Sequence, residues 1–179
     1  MSRTSSLLIA TGVALAGFVG GAGSLGIGVA PAWGSSARSC VSANLKVTLG
    51  IAQGTAGTIY YPIIVTNLGA GVCSIFGVPA IQPVRGVHHE AVGPPARNLS
   101  MGEMPALHTL VTGQSVSVAF GVVETGNYTP STCLAKAASG VRVSIGSFLH
   151  SRYVRLPIEV CTLRASTTTR LLATGRTGN

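Results

Sequence analysis

Apolar and polar positions alternate along much of this chain between residues 45 and 161. Leu45, Val47 and Leu49 are separated by Lys46 and Thr48, the two-residue period of a half-buried strand. Thr58 to Asn67 carries the strongest strand signal, with Ile59, Tyr61, Ile63 and Val65 on one face. Pro62 removes a backbone donor within it, which predicts an edge position or a bulge. Val72 to Phe76 and Val78 to Gln82 read as two short strands broken at Gly77. Leu107 to Val111 and Ser115 to Val123 flank Thr112-Gly113-Gln114, a hairpin-like connection, and Val116, Val118, Phe120 and Val122 share one face of the second strand. Val141 to Ile145 is a further strand. In the last, Val154, Leu156, Ile158 and Val160 alternate with Arg155, Pro157 and Glu159. Leu134 to Ser139 is the one helix-like stretch.

Turn signals separate these elements. Gly50 to Gly57 is a Gly-rich turn, and Asn67-Leu68-Gly69 supplies another. Residues 86–106 form the least regular stretch, with Gly93, Pro94, Pro95, Gly102 and Pro105, and are expected to be a surface loop. Seven or eight short strands at this spacing predict an all-β, immunoglobulin-like β-sandwich. The antibody-type core is incomplete, because the single tryptophan, Trp33, precedes the strands.

The N-terminal pattern is different. Leu7 to Ala30 is an uncharged, Gly-rich apolar run behind Arg3, and Ala30-Pro31-Ala32 fits an A-x-A-like cleavage site. Residues 1–34 therefore read as a signal peptide, with an uncleaved N-terminal membrane anchor as the alternative. Seven glycines from Gly12 to Gly28 weaken a spanning helix. Residues 35–39 are a short linker, 40–162 the folded domain, and 163–179 a basic tail expected to be disordered. The expected setting is secreted or cell-envelope, and the expected state is a monomer.

Four cysteines, Cys40, Cys73, Cys133 and Cys161, in an exported chain read as two disulfides, with three connectivities open. No cysteine lies within a few residues of another or of a histidine, which argues against zinc or dithiol chemistry.

The net charge of +8 reflects four glutamates and no aspartate more than a dense basic patch. Seven basic residues lie between Cys40 and Cys161, and Arg164, Arg170 and Arg176 follow. Scattered arginines without interleaved aromatics do not predict nucleic-acid binding. Weak association with an anionic membrane or cell-wall polymer remains as an expectation, carried by the tail.

The ordered pieces resemble an exported actinobacterial family, the domain of unknown function 4232. They are Leu45-Lys-Val-Thr-Leu-Gly50 after Cys40, Gly54-Thr-Ala-Gly57, Ile64-Val-Thr-Asn67, Gly71-Val-Cys73-Ser-Ile-Phe-Gly77-Val-Pro79 and Gly93-Pro-Pro-Ala96. Val111-Thr-Gly113-Gln-Ser, Thr132-Cys133, Gly140-Val-Arg-Val and Cys161 complete the set. Thr112 stands where the family's turn usually carries Pro, and Val78 where an aromatic is expected. The resemblance implies an immunoglobulin-like sandwich, sequentially paired disulfides, and an envelope or extracellular setting in an actinobacterium, mycobacterial by composition. It implies no activity and no site residues. Sequential pairing would close two loops of about 30 residues, each stabilising the domain by roughly 3–4 kcal/mol.

No catalytic set stands out and no cofactor is implied. No G-x-S-x-G is present and no aspartate exists to orient a histidine. The best titratable cluster is His88-His89-Glu90, a weak metal-site candidate that would need His108 or His150 to complete it. The expected function is a non-enzymatic domain that binds a protein or envelope component through loops 86–106 and 123–133. The alternative is a metal-dependent or hydrolytic enzyme using His88, His89 and Glu90. Intact mass under non-reducing conditions is expected to find a species beginning near Trp33 and four protons lighter than its reduced form. A full-length membrane species would overturn cleavage, and free thiols would overturn the disulfides.

Overall fold

A computed structural model describes residues 37–178, so the signal peptide or N-terminal membrane anchor expected at 1–34 lies outside the described residues. In chain order the strands are β1 (Arg38–Ser39), β2 (Leu45–Leu49), β3 (Gln53–Thr55), β4 (Thr58–Asn67), β5 (Cys73–Ile75), β6 (Ala80–Arg85) and β7 (Glu90–Ala91). They continue as β8 (Arg97–Asn98), β9 (His108–Leu110), β10 (Ser115–Val123), β11 (Ala135–Ile145), β12 (Leu149–Cys161), β13 (Thr167–Thr169) and β14 (Ala173–Thr174). One α-helical turn, α1 (Pro130–Cys133), is present among the described residues.

The protein is all-β, as its alternation predicts. The largest sheet runs β2–β4–β10–β13–β8, with β3 also on β4 and β14 also on β10. A second sheet runs β12–β11–β6–β7, and a small third one β1–β5–β9. The first two contribute to a common core. Val116, Val118, Phe120 and Val122 of β10 and Ile63 and Val65 of β4 are buried in one cluster with Val141 and Val143 of β11 and Val154 and Leu156 of β12. Each such side chain contributes about 1.5–3 kcal/mol by leaving water. The architecture is compatible with an immunoglobulin-like sandwich.

Disulfides join Cys40 to Cys73 and Cys133 to Cys161. The first ties the entry of the domain to β5; the second ties α1 to the end of β12. Two disulfides fit an oxidising, extracytoplasmic environment. No helix among the described residues is long and apolar enough to cross a membrane.

Four local expectations are corrected. Residues 163–178 are not a disordered tail. β13 pairs with β10 through Gly121↔Thr168 and Val122↔Thr167, and β14 pairs with the same strand through Val116↔Thr174 and Ser117↔Ala173. Ser166, Thr167, Thr169 and Leu172 are buried there. Backbone pairing satisfies part of this polar segment, and the Ser166 hydroxyl oxygen accepts from the Cys161 N–H at 2.9 Å, while the buried Thr167 hydroxyl has no hydrogen-bond partner among the described residues. Leu134 to Ser139 is not helical: from Ala135 it belongs to β11, paired with β12 and closing at Ala135↔Cys161. Cross-strand pairing overrides alanine's local preference there.

The third correction concerns Thr112-Gly113-Gln114, which does not close a hairpin. β9 pairs with β5, so the chain changes sheets at this turn. Buried Asn67 fixes the crossing, its side-chain amide donating to the carbonyls of Leu110 (3.1 Å) and Gly71 (2.9 Å). The fourth is Pro62, which sits in a strand flanked on both sides. Its carbonyl accepts from the Gly50 N–H at 2.7 Å. A strand residue's N and O point the same way, so the missing donor faces the gap between β2 and β3 and removes no ladder bond.

Deleting residues 163–178 is expected to cost at least about 3 kcal/mol, because the free edge of β10 would be exposed and Leu172 lost from the core. Urea unfolding checks this; an unchanged midpoint would restore the tail to a dispensable appendage.

Candidate functional site

The two faces of β10 differ in residue size. Its inward positions carry Val and Phe, while Ser115, Ser117, Ala119 and Gly121 point outward. All eight residues from Ser115 to Val122 are buried, so the outer face is covered as well. The C-terminal segment covers it closely. The Gly178 N–H donates to the Ser117 hydroxyl at 2.8 Å, and a Cβ on Gly121 would meet the Thr168 hydroxyl at 2.4 Å. Small residues on β10 are therefore what allow the last strands to lie against it.

Coverage is incomplete, and the uncovered part is a cleft of about 650 Å³. Tyr60, Pro62 and Ala119 contribute to it from β4 and β10. Gln53, Gly54 and Thr55 of β3 and Arg170 to Ala173 of the C-terminal segment also line it, with Ser100 and Glu103 from the preceding loop. Half of its lining residues lie in paired strands, and it is of the size small ligands occupy. Glu103 and Arg170 both reach it without forming an ion pair; the one ion pair among the described residues is Arg85 Nε to Glu90 at 3.9 Å.

The structure does not assemble the residues singled out for metal chemistry. His88 is exposed in the turn between β6 and β7, and Glu90 faces Arg85. His89 adopts a left-handed backbone (φ +53°) and stacks on Tyr153 with ring centroids 4.0 Å apart and planes 11° from parallel. His108 is engaged elsewhere. Its Nε2 contacts the Leu172 carbonyl at 3.1 Å and its Nδ1 the Thr174 hydroxyl at 3.3 Å. A carbonyl only accepts, so Nε2 carries the proton. His150 is exposed on β12. No group of three His, Cys, Asp or Glu gathers among the described residues.

The two loops expected to carry contacts are better anchored than their composition suggests. In 86–106, Val92 donates to Pro83, Ala96 to Ile81, and Leu99 to Thr169. Gly93 has φ +68°, and a Cβ there would sit 2.3 Å from the Cys161 carbonyl oxygen. Beyond β8, Met101, Met104 and Leu107 stay exposed beside the cleft residues Ser100 and Glu103. In 123–133, the Asn127 side-chain amide donates to the Gly57 carbonyl at 3.0 Å, and the Thr125 hydroxyl donates to Glu159. Sequence reasoning missed the cleft because six of its fourteen lining residues come from the segment read as a disordered tail. The small-residue alternation at Ser115, Ser117, Ala119 and Gly121 was the available signal.

Residues 40–174 match the family described as Domain of unknown function (DUF4232). No curated protein matches the chain.

Gly93→Ala is expected to cost at least about 2 kcal/mol, since both the positive φ and the carbonyl contact oppose a methyl group. Thermal unfolding measures it, and a loss below half that figure would mean the loop is not clamped to β12.

Proposed function

The chain belongs to the DUF4232 family, and we propose that it is an exported, non-enzymatic domain of the cell envelope or extracellular space that holds a partner segment or small envelope component in the cleft beside β10. The observation that carries this reading is the cleft itself, about 650 Å³ walled by paired strands and the C-terminal segment. Fixed backbone walls suit binding because little ordering entropy is lost when a ligand enters. Covalent catalysis would require a nucleophile within hydrogen-bond reach of a base. The residues lining the cleft include no histidine or cysteine, and its charged groups are the Glu103 carboxylate and the Arg170 guanidinium. The disulfides support the extracytoplasmic setting, and the apolar run at 7–30 with its Ala30-Pro31-Ala32 site supports export.

Amide chemical-shift mapping of the ¹⁵N-labelled protein against a fragment library tests the site. Hits are expected to perturb Thr55, Tyr60 and Leu171 together, and Gln53→Trp, at an exposed lining position on β3, is expected to abolish them by filling the cleft while leaving the fold intact. Binding that survives Gln53→Trp, or perturbations confined to other surfaces, would overturn the cleft as the site. Chemical turnover of a bound fragment would overturn the non-enzymatic reading.

A further inference from the structure

A second surface lies away from the cleft, on the outer face of the four-stranded sheet. Pairing places Gly140 opposite Arg155 and Arg142 opposite Tyr153. These pairs are two residues apart on both strands, so all four positions share one face. Arg142 also stands opposite Gln82 of β6. Arg142 and Arg155 are diagonal neighbours on that face, with Cβ atoms about 7–8 Å apart or slightly less by ordinary strand geometry. Both are exposed.

A rigid ring stack sits between them. Tyr153 lies across Gly140, where a Cβ would come within 2.6 Å of the ring, and its hydroxyl donates to the Ser139 carbonyl at 3.0 Å. The His89 ring stacks on it. The His89 backbone N–H donates to the Gly86 carbonyl at 3.3 Å, which holds the turn that presents the imidazole.

Among the described residues neither guanidinium has a carboxylate partner. The chain has four side-chain carboxylates, and each is placed elsewhere. Glu90 faces Arg85, Glu159 accepts from Thr125, Glu103 lines the cleft, and Glu124 follows β10. Other arginines are occupied: Arg152 donates to the Ser42 carbonyl at 3.0 Å, and Arg164 lies 4.3 Å from the Tyr128 ring centroid. Arg142 and Arg155 thus form an uncompensated pair of planar cations flanking a flat ring stack.

The geometry points to this face as a docking surface for an anionic polysaccharide. Two fork-shaped guanidiniums match carboxylate or phosphate groups carried along a polymer. The stacked rings offer a flat surface for a sugar ring, and Gln82, Ser144 and Ser151 surround them with small polar groups. Its strand positions carry no exposed large aliphatic side chain, and Val87, exposed in the turn that presents His89, sets one apolar side chain against two guanidiniums, so a glycan fits the face better than a lipid headgroup layer. This surface is separate from the cleft, and its test does not depend on that reading.

Binding of the full chain to polygalacturonate, to neutral dextran and to vesicles of phosphatidylglycerol with phosphatidylcholine, compared at low and moderate salt, tests the assignment. Polygalacturonate is expected to bind and dextran not. R142Q/R155Q is expected to weaken polygalacturonate binding roughly tenfold and to flatten its salt dependence. R38Q/R97Q, the same charge change on other strands, is expected to leave affinity within about twofold of wild type, apart from long-range screening. Absence of binding by the wild type, or equal losses in the two double variants, would overturn the surface. Vesicle binding that exceeds polygalacturonate binding and is lost in R142Q/R155Q would reassign the face to lipid. Since the substituted side chains are exposed, matched thermal midpoints for both variants confirm that affinity is being read.

Discussion

Strand β10 must be buried on both faces at once, and most of the structure follows from how it meets that demand. One face carries Val116, Val118, Phe120 and Val122 into the common core. From Ser115 to Gly121 the other carries only Ser, Ala and Gly, so another layer can approach within backbone distance. Its edges are equally committed, to β4 along nine register pairs on one side and to β13 and β14 on the other. A strand with larger outward residues would push the C-terminal segment away and leave a row of unpaired N–H and C=O groups. The cleft exists because that segment leaves β10 between β13 and β14 rather than pairing along its whole length.

The same device recurs where backbones approach closely. Gly93 passes the Cys161 carbonyl and Gly140 lies under the Tyr153 ring. At each point the absent side chain is replaced by a contact from another strand. The disulfides act at different places, the first holding the small sheet to the start of the domain and the second holding the turn before β11 to the end of β12. Glycine therefore sets close spacing within the sandwich, and cystine restrains its ends.

The alternating strands β2, β4, β10 and β12 were legible because the residues they send into the common core are mostly Val, Ile, Leu and Phe. What escaped was burial without hydrophobicity. Ser166, Thr167 and Thr169 are as enclosed as core valines, yet a Ser/Thr-rich run with three arginines reads as solvated. The first residues of β11 misled for a related reason, since alanine and lysine favour a helix until a partner strand supplies cross-strand bonds. Pairing between β9 and β5 depends on the side-chain amide of Asn67, which looks from sequence like an ordinary turn residue. The cleft was hidden with the tail, and the stack of His89 on Tyr153 joins residues 64 positions apart with no shared local pattern.

The position of β13 and β14 carries a consequence for how the chain acquires its structure. The central strand is complete only when residues 167–174 have arrived, about 50 positions after the strand itself. A polypeptide delivered N-terminus first, by a ribosome or through a translocation channel, cannot close this sandwich early. Such long-range pairing slows folding. Until residues 167–174 are available, one edge of the central strand stays open.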